Sequence, residues 1–275
     1  MTTLHPLFRR FPINGERTLS DGERISLPYH IYDGEMLMIG GTIEYDAARD
    51  LLKHETVEPM LTASGRSPFA IWVCNFTDSN VGSHQELQFS LFTSKKAEPL
   101  INQPYALIAR MALDGGLRMI CHGLWNSTAR VVGCNREVFG LDAHLNTGVI
   151  HRLDSQWVFR LEAEDQSPLI SGKLAEQKGL MPGTVIDMLS LVGWRNTLAM
   201  MRQPWLEMRV INPIGIWKVN KTALTGATGG QRNFRTFDPA RDTLTIHAPS
   251  YANAGFKPDY IYEVRGVKFV YNEPE

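Results

Sequence analysis

Short segments with β-strand character recur along the chain, and they limit its fold more than any other feature. In residues 86–92, Leu87, Phe89 and Leu91 alternate with polar side chains, as in a strand with one face buried. Segments rich in β-branched and aromatic residues predict further strands at 35–43, 68–76, 149–162, 206–219, 243–249 and 261–271. The sequence therefore predicts an α+β, mostly β, fold: a barrel or sandwich with a few peripheral helices.

A hairpin and three helices complete the predicted elements. Asp114-Gly115-Gly116 supplies a turn signal between two apolar segments. Apolar residues at helical spacing and an N-cap at Asn126 or Ser127 indicate helices. The predicted elements are hairpin strands at 105–113 and 117–124, and helices over 44–53, 126–139 and 183–202.

The composition is that of an ordinary globular chain, with 43% hydrophobic residues, 21% charged residues and a net charge of −1. Because the chain has no excess or run of Lys and Arg, we expect neither nucleic acid nor a membrane as a partner. The N-terminus lacks an apolar signal segment, and polar residues interrupt the most apolar stretch, 185–201. Three widely spaced cysteines fit a reducing compartment, so we predict a cytoplasmic protein.

The domain organisation is predicted to be simple. The first residues contain Pro, Gly and Arg and show weak periodicity, which indicates an N-terminal arm over residues 1–24. No internal repeat, low-complexity segment or change of composition marks a linker after them. Residues 25–275 are therefore predicted to form a single β-barrel domain.

Two polar stretches stand out among the apolar segments. The first, Gly82-Ser83-His84-Gln85-Glu86, leads into the alternating strand. The second, Asn135-Arg136-Glu137-Val138-Phe139-Gly140-Leu141, sets an adjacent Arg–Glu pair among apolar residues. Buried charges need partners, so we expect this pair to form an ion pair or to belong to a site.

These stretches, in this order, resemble motifs of the acetoacetate decarboxylase superfamily. In that family a Gly-x-Tyr-x-Glu loop leads into a strand, and a Gly-Arg-Glu motif is followed by an aromatic residue, Pro and Lys-Lys. A later apolar strand ends in Thr-Gly, matched here by Thr225-Gly226. The resemblance covers about residues 25–270, with extra residues between Asp114 and Arg136. It implies a closed, cone-shaped β-barrel with a pocket at its mouth, and a homo-oligomer.

The resemblance departs from the family at the reactive lysine. In the family, the first Lys of the pair forms a Schiff base with a β-keto acid, and the imine accepts electrons while CO₂ leaves. Counting from Arg136, Ala143 stands at that position and His144 at the position of the second Lys. Ala143 has no amine, so the imine mechanism cannot start from it. Of the family's catalytic set, Glu86 is well matched.

Four residues are candidate catalytic groups: Glu86, His84, His144 and Arg136. Glu86 is predicted to transfer a proton, because an apolar barrel mouth favours its neutral form. His84 shares the side of Glu86 on the strand and His144 occupies the family's cation position, so either can assist. Arg136 is expected to clamp a substrate carboxylate or to form a structural ion pair with Glu137 or Glu86.

Four further residues are candidate substrate-binding groups: Glu137, Ala143, His122 and Trp72. Glu137 and Ala143 belong to the second motif, whereas His122 and Trp72 lie in apolar strands. For His122, a hydrogen-bonded position in the core is the alternative. No HExxH or CxxC spacing is present, and the Gly226–Gly230 run lacks a dinucleotide pattern, so we expect neither metal nor cofactor.

The sequence leaves more than one function open. The first hypothesis is a cofactor-independent lyase or isomerase that acts on a small carbonyl or keto-acid compound through an enol or enolate. The second is a barrel that binds a small molecule without chemistry. A third is a decarboxylase in which Lys218 or Lys221 replaces the missing lysine.

Overall fold

Strands dominate the computed structural model, which describes residues 4–94, 102–103, 106–113, 116–176, 182–202 and 204–275. The strands are β1 (Gly15–Thr18), β2 (Arg24–Leu27), β3 (Tyr29–Glu44), β4 (Arg66–Ser79), β5 (His84–Ser94), β6 (Leu117–Asn126), β7 (Ala143–Leu153), β8 (Gln156–Ala163), β9 (Pro168–Ala175), β10 (Leu206–Ile211), β11 (Thr222–Thr228), β12 (Gln231–Thr236), β13 (Thr243–Ile246), β14 (Lys257–Arg265) and β15 (Lys268–Tyr271). The helices are α1 (Pro6–Arg10), α2 (Tyr45–Leu51), α3 (Ala106–Leu113), α4 (Ala129–Glu137), α5 (Pro182–Arg202), α6 (Ile214–Trp217) and α7 (Pro249–Ala252).

Seven strands close into a ring. Their order is β10-β11-β15-β3-β4-β5-β6, and parallel pairing between β6 and β10 completes the circle. Every other pair within the ring is antiparallel. Closure removes the free strand edges that an open sheet presents. The predicted mostly β fold with a closed barrel is confirmed.

The sheet extends beyond the ring, and the ring strands that pack against this extension are buried on both faces. Beyond β6 the sheet continues through β7, β8, β9 and β13, and Trp157 and Phe159 of β8 pack with Leu87 and Phe89 in an outer apolar core. A second apolar core lies inside the ring. The alternation predicted for β5 is confirmed, because its apolar side chains enter the outer core while Glu86 faces the inside.

The secondary structure departs from the sequence prediction at four places. The strand predicted over 149–162 divides into β7 and β8 at the turn of Asp154 and Ser155. The segment expected as the first hairpin strand is helix α3, whereas Tyr105 and the Asp114-Gly115 turn lie outside the described residues. The strand predicted over 206–219 ends at Ile211 and is followed by α6. The final strand divides into β14 and β15 around Gly266, which has a φ of 61°.

The three predicted helices, which are α2, α4 and α5, lie close to their predicted ranges. Helix α4 begins after Thr128, whose side chain accepts a hydrogen bond from the backbone N–H of Val131. Helix α5 contains a kink at Gly193, where φ is 76° and ψ is 159°. Within the described ranges, no helix combines the length and the apolar character needed to cross a bilayer.

Candidate active site

A mainly apolar cavity occupies the inside of the ring. All seven ring strands contribute to its lining, together with residues of β12, β14, α3 and α4. Its empty space is about 1090 Å³, a figure that includes open solvent at the mouth. Among the described lining residues, Glu86 and Arg232 are the two that carry a charge.

Glu86 faces this cavity from β5, and no cation among the described residues lies beside it. The side chain keeps some accessible surface and belongs to the cavity lining. Burial raises the pKa of Glu86 to about 7, and a hydrogen bond from Asn126 partly offsets that rise. At neutral pH the carboxyl group therefore populates both protonation states, as general acid–base catalysis requires.

Two asparagines orient the Glu86 carboxylate. The Nδ2 of Asn126 donates to Oε2 of Glu86 at 3.0 Å, and the Nδ2 of Asn135 donates to Oδ1 of Asn126 at 2.8 Å. Both asparagines are at least 98% buried. The relay fixes one carboxylate oxygen, which leaves the other available to a ligand in the cavity.

His84 does not line the cavity itself, but it forms a hydrogen bond with Tyr29, which does. Its Nδ1 is 3.0 Å from the carbonyl oxygen of Gly82, and its Nε2 is 2.8 Å from the hydroxyl of Tyr29. Because a carbonyl oxygen only accepts, Nδ1 carries the proton and Nε2 accepts from Tyr29. Burial lowers the pKa of His84 to about 4, so the ring is neutral at pH 7. The Tyr29 oxygen can therefore accept a hydrogen bond from a ligand.

Two cavity residues hold hydrogen-bond donors that have no partner among the described residues. Trp72 and Tyr271 line the cavity and are 8% and 5% exposed. Within the described chain, neither the indole Nε1 of Trp72 nor the hydroxyl of Tyr271 has a hydrogen-bond partner. Leaving a buried donor unpaired costs about 1–3 kcal/mol, so an acceptor group on a bound ligand would be stabilised here.

The adjacent Arg136 and Glu137 are exposed, which corrects the expectation of a buried pair. Neither residue lines the cavity. Glu137 instead accepts hydrogen bonds from the backbone N–H and hydroxyl of Ser20, at 2.8 and 2.7 Å. It holds the turn between β1 and β2 against α4. The members of this motif that line the cavity are Asn135 and Leu141.

Ala143 and His144 occupy opposite faces of β7. Ala143 is fully buried in the apolar core around the cavity, where it pairs with Leu124 of β6. His144 is exposed, and its Nε2 lies 3.2 Å from Oδ1 of Asp142. The structure thus places the alanine on the inner side of the barrel, and His144 does not share the cavity with Glu86.

His122 belongs to the outer core rather than to the cavity. Its Nε2 lies 2.9 Å from the carbonyl oxygen of Leu51, and its Nδ1 lies 2.7 Å from the hydroxyl of Tyr251. Burial lowers the pKa of His122. These contacts match the alternative of a hydrogen-bonded core histidine, and no contact places His122 against a cavity ligand.

Lysines and metal-binding groups do not gather at the cavity in the part of the chain described. Lys218 and Lys221 are exposed, and the ammonium group of Lys221 lies 5.2 Å from the ring centroid of Trp217. Lys95, Lys96 and Lys178 lie outside the described residues. Among the described residues, no three His, Cys, Asp or Glu side chains are placed to hold a metal ion.

Several polar residues of the site were not predicted from the sequence: Tyr29, Asn126, Asn135, Arg232 and Tyr271. Asn135 carried a local signal, because it shares one helical face with the buried Val131, Cys134 and Val138. The other residues meet only through long-range strand pairing, as Tyr271 does with Tyr29. No local pattern could have predicted that register.

Known protein structures share this architecture, although no sequence match accompanies them. No family model matches the sequence, and no curated protein sequence matches it. Acetoacetate decarboxylase from Legionella pneumophila shares the fold, with a TM-score of 0.57, 11% identity, and coverage of 100% of this chain and 96% of that one. A second acetoacetate decarboxylase structure gives a TM-score of 0.54 at 12% identity, covering 99% and 93%.

A biosynthetic enzyme also has this fold. The enduracididine biosynthesis enzyme MppR, solved in complex with pyruvate, matches with a TM-score of 0.52 and 12% identity, covering 90% of this chain and 89% of that one. Sequence identities this low show a shared fold and do not show a shared activity. The closed ring with its internal cavity is thus a fold that this chain shares with the acetoacetate decarboxylase structures.

Proposed function

We propose that this chain is a cofactor-independent enzyme that moves a proton at a carbon atom next to a carbonyl group. The substrate would be a small carbonyl or keto-acid compound, and the reaction a lyase or isomerase reaction through an enolate. The observation that carries the proposal is Glu86: a carboxyl group with a pKa raised to about 7, which faces an apolar cavity and has no cation of the described residues beside it. The acetoacetate decarboxylase-like fold supports an enzymatic role.

Each step has a candidate group on this chain. The ionised form of Glu86 would take the α-proton, and the neutral form would return a proton to the substrate. Trp72 and Tyr271 would donate hydrogen bonds to the developing enolate oxygen, since their donors lack protein partners among the described residues. Tyr29, held by His84, would accept a hydrogen bond from the substrate. Asn126 would act as a positioning residue for Glu86.

The second candidate is a barrel that binds its ligand without chemistry. It is favoured by the mainly apolar lining of the cavity, in which Met36, Met119 and Met208 stand beside Leu and Val side chains. A decarboxylase with a displaced lysine is the third candidate. Lys218 and Lys221 give it little support, because both are exposed and neither lines the cavity.

Proton exchange separates these candidates. Small ketones and keto acids would be incubated with the protein in D₂O, and the loss of α-proton signal followed by NMR. We expect exchange above the buffer rate, and a loss of about 100-fold or more in Glu86→Gln, in line with general-base catalysis. Glu164→Gln, at an exposed position, is the matched control.

Three outcomes would contradict the proposal. Full exchange in Glu86→Gln would remove that carboxylate from the mechanism. Binding of a panel compound without exchange by the wild-type protein would favour the binding barrel. A borohydride-trapped adduct on a lysine would revive the Schiff-base mechanism.

We also propose that the protein is a cytoplasmic homo-oligomer with a small-molecule substrate. The three cysteines, Cys74, Cys121 and Cys134, are free and buried, which supports a reducing compartment. Light scattering coupled to size-exclusion chromatography tests the oligomer, and a monomeric mass would contradict it.

A further inference from the structure

Arg232 stands in the cavity at the far end of a row of paired residues that begins at Glu86. Glu86 pairs with Cys74, Cys74 with Met36, Met36 with Val264, and Val264 with Arg232. Cross-strand partners place their side chains on the same face of a sheet. All five residues line the cavity. The row therefore connects an acid and a cation across an apolar wall.

The two charged groups do not neutralise each other. Four strand spacings separate them, which amounts to about 20 Å between Cα atoms along the curved sheet, an upper limit for the straight distance. Burial and the Asn126 hydrogen bond are the causes of the shifted pKa of Glu86, and Arg232 is not among them. Within the described chain, no carboxylate forms an ion pair with Arg232.

The guanidinium group of Arg232 has capacity for a ligand. Its Nη2 donates to the hydroxyl of Thr228 at 2.9 Å, and the side chain is partly buried. A guanidinium group carries five N–H donors in a planar arrangement that suits a carboxylate. Its positive charge also lowers the pKa of neighbouring Tyr262, which burial raises to about 12.

We propose that Arg232 binds the carboxylate of an elongated apolar carboxylic acid whose carbonyl group lies at Glu86. The carbonyl end of this inference rests on the proposed function, whereas the carboxylate end requires binding alone. The apolar side chains of Met36 and Val264 would contact the spacer between the two groups. Because the carboxylate is held away from the acid–base group, it is retained in the reaction, and the chemistry takes place at the carbonyl end.

Calorimetric titration with a matched ligand pair tests the carboxylate end. The probes are 9-oxodecanoate, a methyl ketone with a terminal carboxylate, and its methyl ester, with levulinate as a short homologue. We expect the wild-type protein to bind the acid more tightly than the ester and more tightly than levulinate. Arg232→Gln should weaken binding of the acid by about 10-fold to 100-fold and leave the ester unchanged.

Three further variants make the result specific. Arg232→Lys keeps the charge but loses the planar pair of donors, so an intermediate affinity for the acid is expected. Arg241→Gln makes the same change of charge at an exposed position outside the cavity and should bind like the wild type. Glu86→Gln should retain the preference for the acid over the ester.

The outcomes distinguish this inference from the proposed function. If the wild type shows no preference for the acid, or if Arg232→Gln and Arg232→Lys weaken acid and ester equally, the inference is overturned whatever the exchange experiment gives. If α-proton exchange is absent while the Arg232-dependent preference persists, the proposed chemistry fails and the carboxylate site stands.

Discussion

At the scale of single residues, the chemistry of the cavity depends on how the surroundings of one carboxyl group are arranged. Burial favours the neutral form of Glu86, and the hydrogen bond from Asn126 favours the charged form. The balance brings the pKa to about 7. An acid with a pKa near the working pH can both take and return a proton.

Replacing Asn126 by Leu removes the hydrogen bond that stabilises the charged form of Glu86. We therefore expect the pKa of Glu86 to rise by roughly one unit. Since the base form of Glu86 becomes populated as pH rises through its pKa, the rising limb of the α-proton exchange rate should move to higher pH. The measurement is the pH dependence of kcat/KM between pH 5 and 9.

A second buried asparagine provides the control for this shift. The Nδ2 of Asn233 donates to Oε2 of Glu263 at 3.3 Å, away from the cavity. Asn233→Leu should lower stability and leave the pH profile in place. If both variants moved the profile equally, or if Asn126→Leu left it unchanged, Asn126 would have no positioning role.

The residues of the site differ in how far the sequence could predict them. Placement of Glu86 inside the barrel followed from strand alternation, which is a local property. The prediction of a buried Arg136 was wrong, because the 3.6-residue period of α4 buries Asn135 and turns Arg136 outward. Arg232 is connected to Glu86 through four successive strand pairings, and no local pattern contains that information.

At the scale of elements, a glycine at the end of α4 allows the chain to enter β7. Gly140 has a φ of 64°, a conformation that side chains disfavour. A Cβ atom at this position would lie 2.4 Å from the ring of Trp217 in α6. The glycine therefore serves both the turn and the packing of two helices.

Substitution of Gly140 by Ala should lower the free energy of unfolding by about 2–4 kcal/mol, because backbone strain and a steric clash coincide. Gly215→Ala is the matched control in α6, since no atom lies within 4 Å of its Cβ position. Its effect should stay within about 0.5 kcal/mol. Urea unfolding measures both, and equal values for the two variants would contradict this account.

Elements with a clear pattern of apolar residues could be predicted from the sequence. Elements in which turn signals and helix propensity conflicted could not. The apolar and aromatic residues of β4 and the alternation in β5 gave the central strands. For α3, the Asp-Gly-Gly turn signal favoured a hairpin, whereas its Ala, Leu, Met and Arg residues are strong helix formers. Helix propensity, together with burial of Leu107 and Ile108, decided the outcome.

At the scale of the whole molecule, a buried ion pair joins β12, which pairs with β14 beside the ring, to the strands that extend from the ring. Arg235 of β12 contacts Asp242 before β13, with Nη2 and Oδ1 2.7 Å apart. The same Nη2 donates to the carbonyl oxygen of Ala175 in β9 at 2.7 Å, and the backbone N–H of Ala175 donates to Asp242. Both charged residues are more than 90% buried.

Loss of one partner of this pair should be costly. Arg235→Leu leaves the Asp242 carboxylate buried without its cation, so we expect a loss of about 3–5 kcal/mol in the free energy of unfolding. The exposed pair of Arg160 and Glu162 is the control, and Arg160→Leu should cost about 0–1 kcal/mol. Thermal and urea unfolding would show the difference, and similar losses in both variants would refute the structural role.

The overall architecture could be predicted although the sequence shares little identity with its structural neighbours. Identity to the solved acetoacetate decarboxylases is 11–12%, yet the order of three short motifs indicated the barrel. The parallel pairing of β6 with β10 that closes the ring was not predictable, because its partners lie about 90 residues apart in sequence.

The central claim is that Glu86 titrates near neutral pH inside the cavity. Infrared difference spectra between the wild type and Glu86→Gln, recorded from pH 5 to 9, would follow the carbonyl stretch of the protonated carboxyl group. We expect the titration of Glu86 to have its midpoint at about pH 7. A midpoint near the ordinary glutamate value of 4.5 would contradict it.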